Sequence, residues 1–348
     1  MLQRERKLQD LIERYRAGGY FPDAAVCVFS GKQILTILTT GSAQEHSVFD
    51  VASLTKIATA TQILLLVEEG RLSLDGRIAD LLPALSPSVF QAHDQVKDIT
   101  ICQLLTHTSP LPAWYPFYTR QQDGFYDILA HVIQVCPKSR GVTYSDLNFM
   151  LLGKLLEEVC RLPLQDCLQQ HLCIPFGIRD MTYLPGASLP DRLIPSDLGN
   201  DIEMRMVRER GLRFDGFRPL GIPAPGTVND GNANYYFGGV SGHAGIFASV
   251  QAYARLCQVY LGTDLKGLIS AQLEQPDAPG RGLGFQVGMT YPCGCGHTGF
   301  TGTSIYLSRS HDVGAVAFTN RLCAAEAGHD MSEFRRALHE TVLALYGS

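Results

Sequence analysis

Apolar and polar positions recur along this chain with several different periods, and each change of period marks an element. Residues 1–17 carry an amphipathic pattern built on Leu8, Leu11, Ile12 and Tyr15, which predicts a helix ending at Gly18-Gly19. Two β-rich runs, 24–29 and 33–39, are joined by Ser30-Gly31-Lys32, a hairpin signal. A helix starting near Ser53 runs through Leu64-Leu65-Leu66 and stops at Gly70. Its middle is apolar on nearly every face, as a buried helix requires. From Asp75 to about Tyr236 the pattern changes, and helical stretches at 101–105, 123–135, 147–159 and 164–172 alternate with Pro- and Gly-rich loops. The segment 214–231, with several Gly and Pro, reads as an irregular loop. After Gly238-Gly239, a helix at 249–261 precedes β-like runs at 284–289, 303–307 and 313–319, and a final amphipathic helix covers 331–346. There is no internal repeat and no low-complexity tract. The outline is a terminal α/β layer, residues 1–75 and 237–348, interrupted by a largely helical insertion at 76–236.

Composition narrows the class without naming a chemistry. With 348 residues, 45% hydrophobic and 18% charged, the chain belongs with ordinary globular proteins and can bury a large core. A net charge of -5 and the lack of a Lys/Arg-rich stripe give no footprint for nucleic acid. The apolar runs are too short for a membrane span, and the charged N-terminus lacks the apolar stretch of a secretory signal. Ten scattered cysteines with no framework spacing read as reduced thiols, so a cytoplasmic location is expected. Cys293-Gly294-Cys295-Gly296-His297 places alternate residues on one strand face, but no fourth ligand is evident and no metal is expected.

The chemistry begins at Ser53-Leu54-Thr55-Lys56. Residues three apart lie on one helix face, so an amine can stand beside a hydroxyl that is a poor nucleophile without a base. Three further segments supply what that pair needs. Tyr144-Ser145-Asp146 heads the helical run 147–159, where a helix N-terminus favours negative charge. Asp146 reads equally as an N-cap or as a site residue. His297-Thr298-Gly299 precedes Phe300-Thr301-Gly302-Thr303, small residues that leave room for a substrate along a strand edge. Gly238-Gly239-Val240-Ser241-Gly242-His243-Ala244-Gly245 is a Gly-rich turn able to bring backbone close to a site. His107 reads as structural, and Trp114, with Tyr115, Phe117 and Tyr118, suits a pocket wall or a core equally.

Taken in order, these motifs resemble the serine hydrolases built on the class C β-lactamase fold, over nearly the whole chain. Gly70-Arg71-Leu72-Ser73-Leu74-Asp75 and Leu104-Leu105-Thr106-His107-Thr108-Ser109 add to the likeness. Among subgroups, the Gly-rich run and the His-Thr-Gly run are most similar to penicillin-binding-protein 4B-like hydrolases and to hydrolases of muropeptides. The resemblance implies an antiparallel sheet flanked by helices, with an inserted, mostly helical domain. It makes Ser53 the acylated nucleophile, with Lys56 and Tyr144 sharing the proton work. The oxyanion hole would be the N–H groups of Ser53 and Phe300. Asp146, His297, Thr298, Gly299 and His243 would contact substrate, and no metal or organic cofactor is needed.

Two departures shape the expected substrate. Asp146 stands where the family has Asn, and should hold Lys56 charged, leaving Tyr144 as the base. His297 stands where the family has Lys, so a permanent charge becomes one that depends on pH. Both weigh against β-lactams or a free C-terminal D-Ala as the preferred substrate and are compatible with an amide or ester lacking a carboxylate at that spot, such as a small molecule or peptide derived from peptidoglycan. The alternatives are a β-lactamase or D,D-carboxypeptidase, a broad carboxylesterase, and a silent binder of cell-wall fragments. The sequence leaves the oligomeric state open.

Overall fold

Strand β1 (Ala24–Phe29) is buried at every position. Successive strand residues point to opposite faces, and both faces are covered here. Ala25, Cys27 and Phe29 enter one apolar cluster, while Ala24, Val26 and Val28 enter another. β1 pairs with β2 (Ile34–Thr40) across the expected hairpin and with β8 (Val313–Thr319) on its other edge. β7 (Ser304–Ser308) and β6 (Cys295–Thr298) complete an antiparallel sheet in the order β2-β1-β8-β7-β6. The structure is a computed structural model and describes residues 3–85, 89, 94–186, 190–262, 280–288, 290–325 and 329–348.

Helices cover this sheet on both sides, as expected. The N-terminal helix (Gln3–Ala17) and the C-terminal helix (Met331–Tyr346) pack together on one face through Leu8, Ile12, Phe334, Leu338 and Val342. Against the other face lie the helix Val250–Leu261, capped by the Ser249 side chain, and the Ser53 helix (Thr55–Glu68). Eleven of the fourteen residues in the Ser53 helix are buried, so its lack of a polar face is a consequence of being wrapped on all sides. The apolar cluster around it runs without a break from Cys27 through Leu129 and Leu152 to Phe318.

Three features differ from the sequence reading. A helix forms at Asp201–Glu209, which the sequence reading passed over although Ile202, Met206 and Val207 recur at helical spacing; only Val207 is fully buried. A second, short sheet joins β3 (Phe49–Asp50), β5 (Ile246–Ala248) and β4 (Met181–Tyr183) in the order β3-β5-β4, so the inserted stretch contributes a strand. The run 284–288 forms no strand, because Gly284 and Gly288 adopt φ of +87° and +131°. It touches the sheet only where Gln286 bridges to Gly296, and Met289 lies outside the described residues.

Candidate active site

β3 leads through Val51 into a single tight turn, Ala52–Leu54, and from there into the Ser53 helix. Ala52 sits at φ +49°, a left-handed conformation that costs a non-glycine residue energy and persists only where the surroundings enforce it. The enforcing contacts are visible. The Ala52 N–H donates to the buried Asp50 carboxylate at 2.8 Å, and the other carboxylate oxygen accepts from the Asn229 N–H at 2.8 Å. The Val51 carbonyl accepts from Thr303 at 2.9 Å. The turn delivers Ser53, half-buried, to the head of a helix whose next turn carries Lys56.

Lys56 is fully buried and uses all its donors. Its Nζ donates to Ser53 Oγ at 3.0 Å and to the His243 carbonyl at 3.0 Å, and pairs with Asp146 Oδ1 at 2.8 Å. Burial pulls its pKa down, but Asp146 and Tyr144 outweigh burial, and the ammonium is held above its ordinary value. The expectation that Asp146 keeps Lys56 charged is therefore met in the geometry. Asp146 is the first residue of the helix Asp146–Cys160, while Ser145 occupies the N-cap position. Its carboxylate serves Lys56 instead of capping.

Tyr144 completes the cluster. Its hydroxyl interacts electrostatically with the Lys56 and Ser53 side chains, and Lys56 Nζ lies 5.0 Å from its ring centroid. Burial raises its pKa and Lys56 lowers it, with a net rise. His107 supports this residue from behind, with ring centroids 4.6 Å apart, and its Nδ1 accepts the Ser145 N–H at 3.0 Å. A buried imidazole with that role is structural, as read from the sequence.

β6 ends in His297 and Thr298, followed by Gly299 and Phe300. A side chain at Gly299 would meet Thr303 Oγ1 and the Val51 carbonyl, so glycine alone lets this segment close on the Ser53 turn. Among the described residues, the backbone N–H groups of Ser53 and Phe300 donate to no other group. His297 departs from expectation. Its Nδ1 donates to the Thr298 carbonyl at 2.9 Å, and Nε2 is buried without a partner. Burial, Arg281 and Lys56 hold its pKa well below the ordinary imidazole value, so it is neutral throughout the physiological range.

The positive charge comes from a residue the sequence reading missed. Ser53, Tyr144, His297 and Phe300 line a cleft of about 410 Å³ whose other wall carries Arg281, Arg321 and Arg335. Arg321 and Arg335 are tied to backbone carbonyls of Phe300 and Gly299. Arg281 is not: its guanidinium lies 5.1 Å from the Tyr144 ring centroid, and one terminal nitrogen is buried with no hydrogen-bond partner among the described residues. Burial lowers its pKa, and the groups that oppose this are Tyr144 and Tyr291, neither of them a carboxylate. Its only sequence signal is a long cation between two glycines, Gly280 and Gly282.

His243 is a correction of another kind. Its ring is buried and turned to Asp230 at 2.9 Å and Ser241 at 2.7 Å, so only its carbonyl reaches the site, through Lys56. Asp146, Asp230 and His243 offer ligand atoms within 4.8 Å of one another. Each is already engaged, Asp146 by Lys56 and Asp230 by His243, so the set reads as an ion-pair network and not as a metal cage.

Comparison with known proteins agrees with this geometry. The chain is 28% identical to an N-acetylmuramyl-L-alanine amidase of Bacillus subtilis (strain 168), over 91% of this chain and 80% of that one. It is 27% identical to a putative D-alanyl-D-alanine carboxypeptidase of Escherichia coli (strain K12), over 81% and 70%. Its fold is similar to a class C β-lactamase from Rhodobacter sphaeroides, with a TM-score of 0.69, 17% identity, and coverage of 97% and 98%. The sequence profile of the Beta-lactamase family matches residues 8–340, and the chain therefore belongs to that family of serine hydrolases.

Proposed function

We propose that this protein is a serine amidase cleaving a peptidoglycan-derived amide in which the departing amino acid keeps a free carboxylate. The observation that carries this reading is Arg281, a half-buried guanidinium without a carboxylate partner among the described residues, facing the cleft beside Ser53. A buried charge left unpaired is costly, so such a group is retained where a ligand supplies its counter-ion. This reverses the expectation drawn from Asp146 and His297, which had no means of seeing a cation brought in from another segment. An amide of N-acetylmuramic acid with L-alanine, named by the Bacillus relative, has the required form.

In this reading Ser53 attacks the amide carbonyl. Its oxygen already accepts a hydrogen bond from Lys56, so its own proton is left to Tyr144, and the charged Lys56 makes a phenolate tolerable there. The Ser53 and Phe300 N–H groups receive the oxyanion. The amine departs with the proton from Tyr144, leaving an acyl ester on Ser53, and water repeats the sequence to release the acid. Thr298 and Gly299 line the cleft where the departing half lies. The ten cysteines, none in a disulfide, support a cytoplasmic site of action. Among the described residues, no helix is long and apolar enough to cross a membrane.

The test compares N-acetylmuramyl-L-alanine with its alaninamide counterpart. The free acid should be cleaved with a kcat/KM at least about tenfold higher, and Arg281→Ala should erase that preference. Equal turnover of the two by the unaltered enzyme would refute the assignment.

A further inference from the structure

Cleavage at Ser53 divides the substrate into an acyl half and a departing half, so two cavities that meet there correspond to the two halves. One is the arginine-lined cleft. The second, of about 150 Å³, shares only Ser53, Tyr144 and Phe300 with it and is otherwise walled by Trp114, Glu203, Asn229 and Asp230 among others. We infer that this second cavity is a subsite for a neutral, hydroxyl-rich ring on the acyl half, an amino-sugar pyranose.

Three observations converge on that chemistry. Trp114 is half-buried, and Phe300 is 43% exposed, so two aromatic groups border the same cavity. Flat aromatic faces suit the C–H surface of a pyranose. The remaining walls carry the acceptors of Asp146, Glu203, Asn229 and Asp230. Asp146 is neutralised by Lys56 at 2.8 Å and Asp230 is bonded to His243 at 2.9 Å. Glu203 accepts from Tyr118 at 2.9 Å and from the Gly231 N–H at 2.9 Å, and burial with the nearby Asp230 pushes its pKa up to about 8. Each carboxyl retains spare lone pairs, and acceptors of that kind match the hydroxyls of a sugar. Ala52, Met206 and Ala244 complete the wall with apolar surface, which meets the C–H face of such a ring.

The position is fixed by the same local structure that builds the catalytic cluster. The Ser145 hydroxyl donates to Pro112 at 2.7 Å and the Asp146 N–H donates to Ala113 at 2.9 Å, which fastens the strand of chain carrying Trp114 to the head of the Tyr144 helix. A ring bound against Trp114 is thereby registered to Ser53.

This inference rests on the amidase reading above, and the sole tryptophan gives it a test that does not depend on turnover. In Ser53→Ala, titration with N-acetylmuramyl-L-alanine should change Trp114 fluorescence saturably. N-acetyl-L-alanine, which keeps the departing half and lacks the ring, should leave the emission unchanged. Glu203→Ala should weaken the muramyl titration about tenfold, with an unaltered emission spectrum before ligand as the check on folding. In the wild type, D-lactyl-L-alanine should be cleaved at least about tenfold less efficiently than the muramyl amide. No fluorescence response to the muramyl compound, an equal response to N-acetyl-L-alanine, or equal cleavage with and without the ring would overturn the sugar subsite. Loss of the carboxylate preference with the fluorescence response intact would instead remove the Arg281 assignment and leave this one standing.

Discussion

Asp146 decides how the Ser53 cluster titrates. Together with Tyr144 it outweighs the burial of Lys56 and keeps the amine charged, while burial keeps the Tyr144 hydroxyl protonated. The reactive form must therefore lose one proton from the pair, and kcat/KM should climb with pH through the neutral and mildly alkaline range without a plateau. Asp146→Asn removes the charge that holds both protons in place. Its rising limb should move to lower pH by at least about one unit; an unmoved profile would mean that Asp146 has no part in the titration. Ser53→Ala should form no covalent adduct with a fluorophosphonate, read by intact mass, and a retained adduct would exclude Ser53 as the nucleophile.

Elements act on the site through close approach. β6 and the Ser53 turn are joined where Gly299 comes against the Val51 carbonyl and Thr303. Gly299→Ala forces a methyl group into that contact, and the expected cost is about 1–3 kcal/mol of stability. Because the Phe300 N–H hangs on the same segment, catalysis should fall more than stability does. The comparison is kcat at a temperature where chemical denaturation shows the variant fully folded; an unchanged kcat there would mean that the segment needs no such closeness. The loop at 229–230 is tied in by Asp50, whose carboxylate joins it to the strained turn at Ala52. One buried side chain thereby links the wall of the acyl-side cavity to the nucleophile.

At the scale of the molecule, buried titratable groups set a pH window. His107, His297 and His339 are held neutral by burial, His107 down to about 2 and His339 to about 4, with His297 well below the ordinary imidazole value. The unfolded chain binds their protons below about pH 6.5, so these groups remove stability as pH falls. Asp50 and Glu203 behave oppositely: burial raises them to about 7 and about 8. The folded state keeps their protons after the unfolded chain has released them, so they remove stability as pH rises through neutrality. Below pH 6.5 the three imidazoles outnumber the two carboxyls, and above it only the carboxyls act. Stability should therefore peak near pH 6–7, measured as the urea midpoint between pH 5 and 8. A midpoint rising steadily to pH 8 would show that Asp50 and Glu203 are ionised in the folded state.

Local chemistry was readable from the chain itself. The Ser53–Lys56 spacing, the head of the Tyr144 helix, the hairpin at Ser30 and the fully apolar Ser53 helix all depend on neighbours a few residues apart, where periodicity and glycine placement carry the information. The ordered motifs were enough to suggest the fold, because each element they mark is long or punctuated. Tertiary structure alone decided the rest. Arg281 and Trp114 come to Ser53 from segments without periodic pattern, and Glu203 from the helix Asp201–Glu209, whose apolar spacing marks a helix but not what it packs against. The neutrality of His297 and the inward turn of His243 follow from burial and from charges placed nearby by other segments. Burial and field are sums over the whole fold, and a linear chain does not display them.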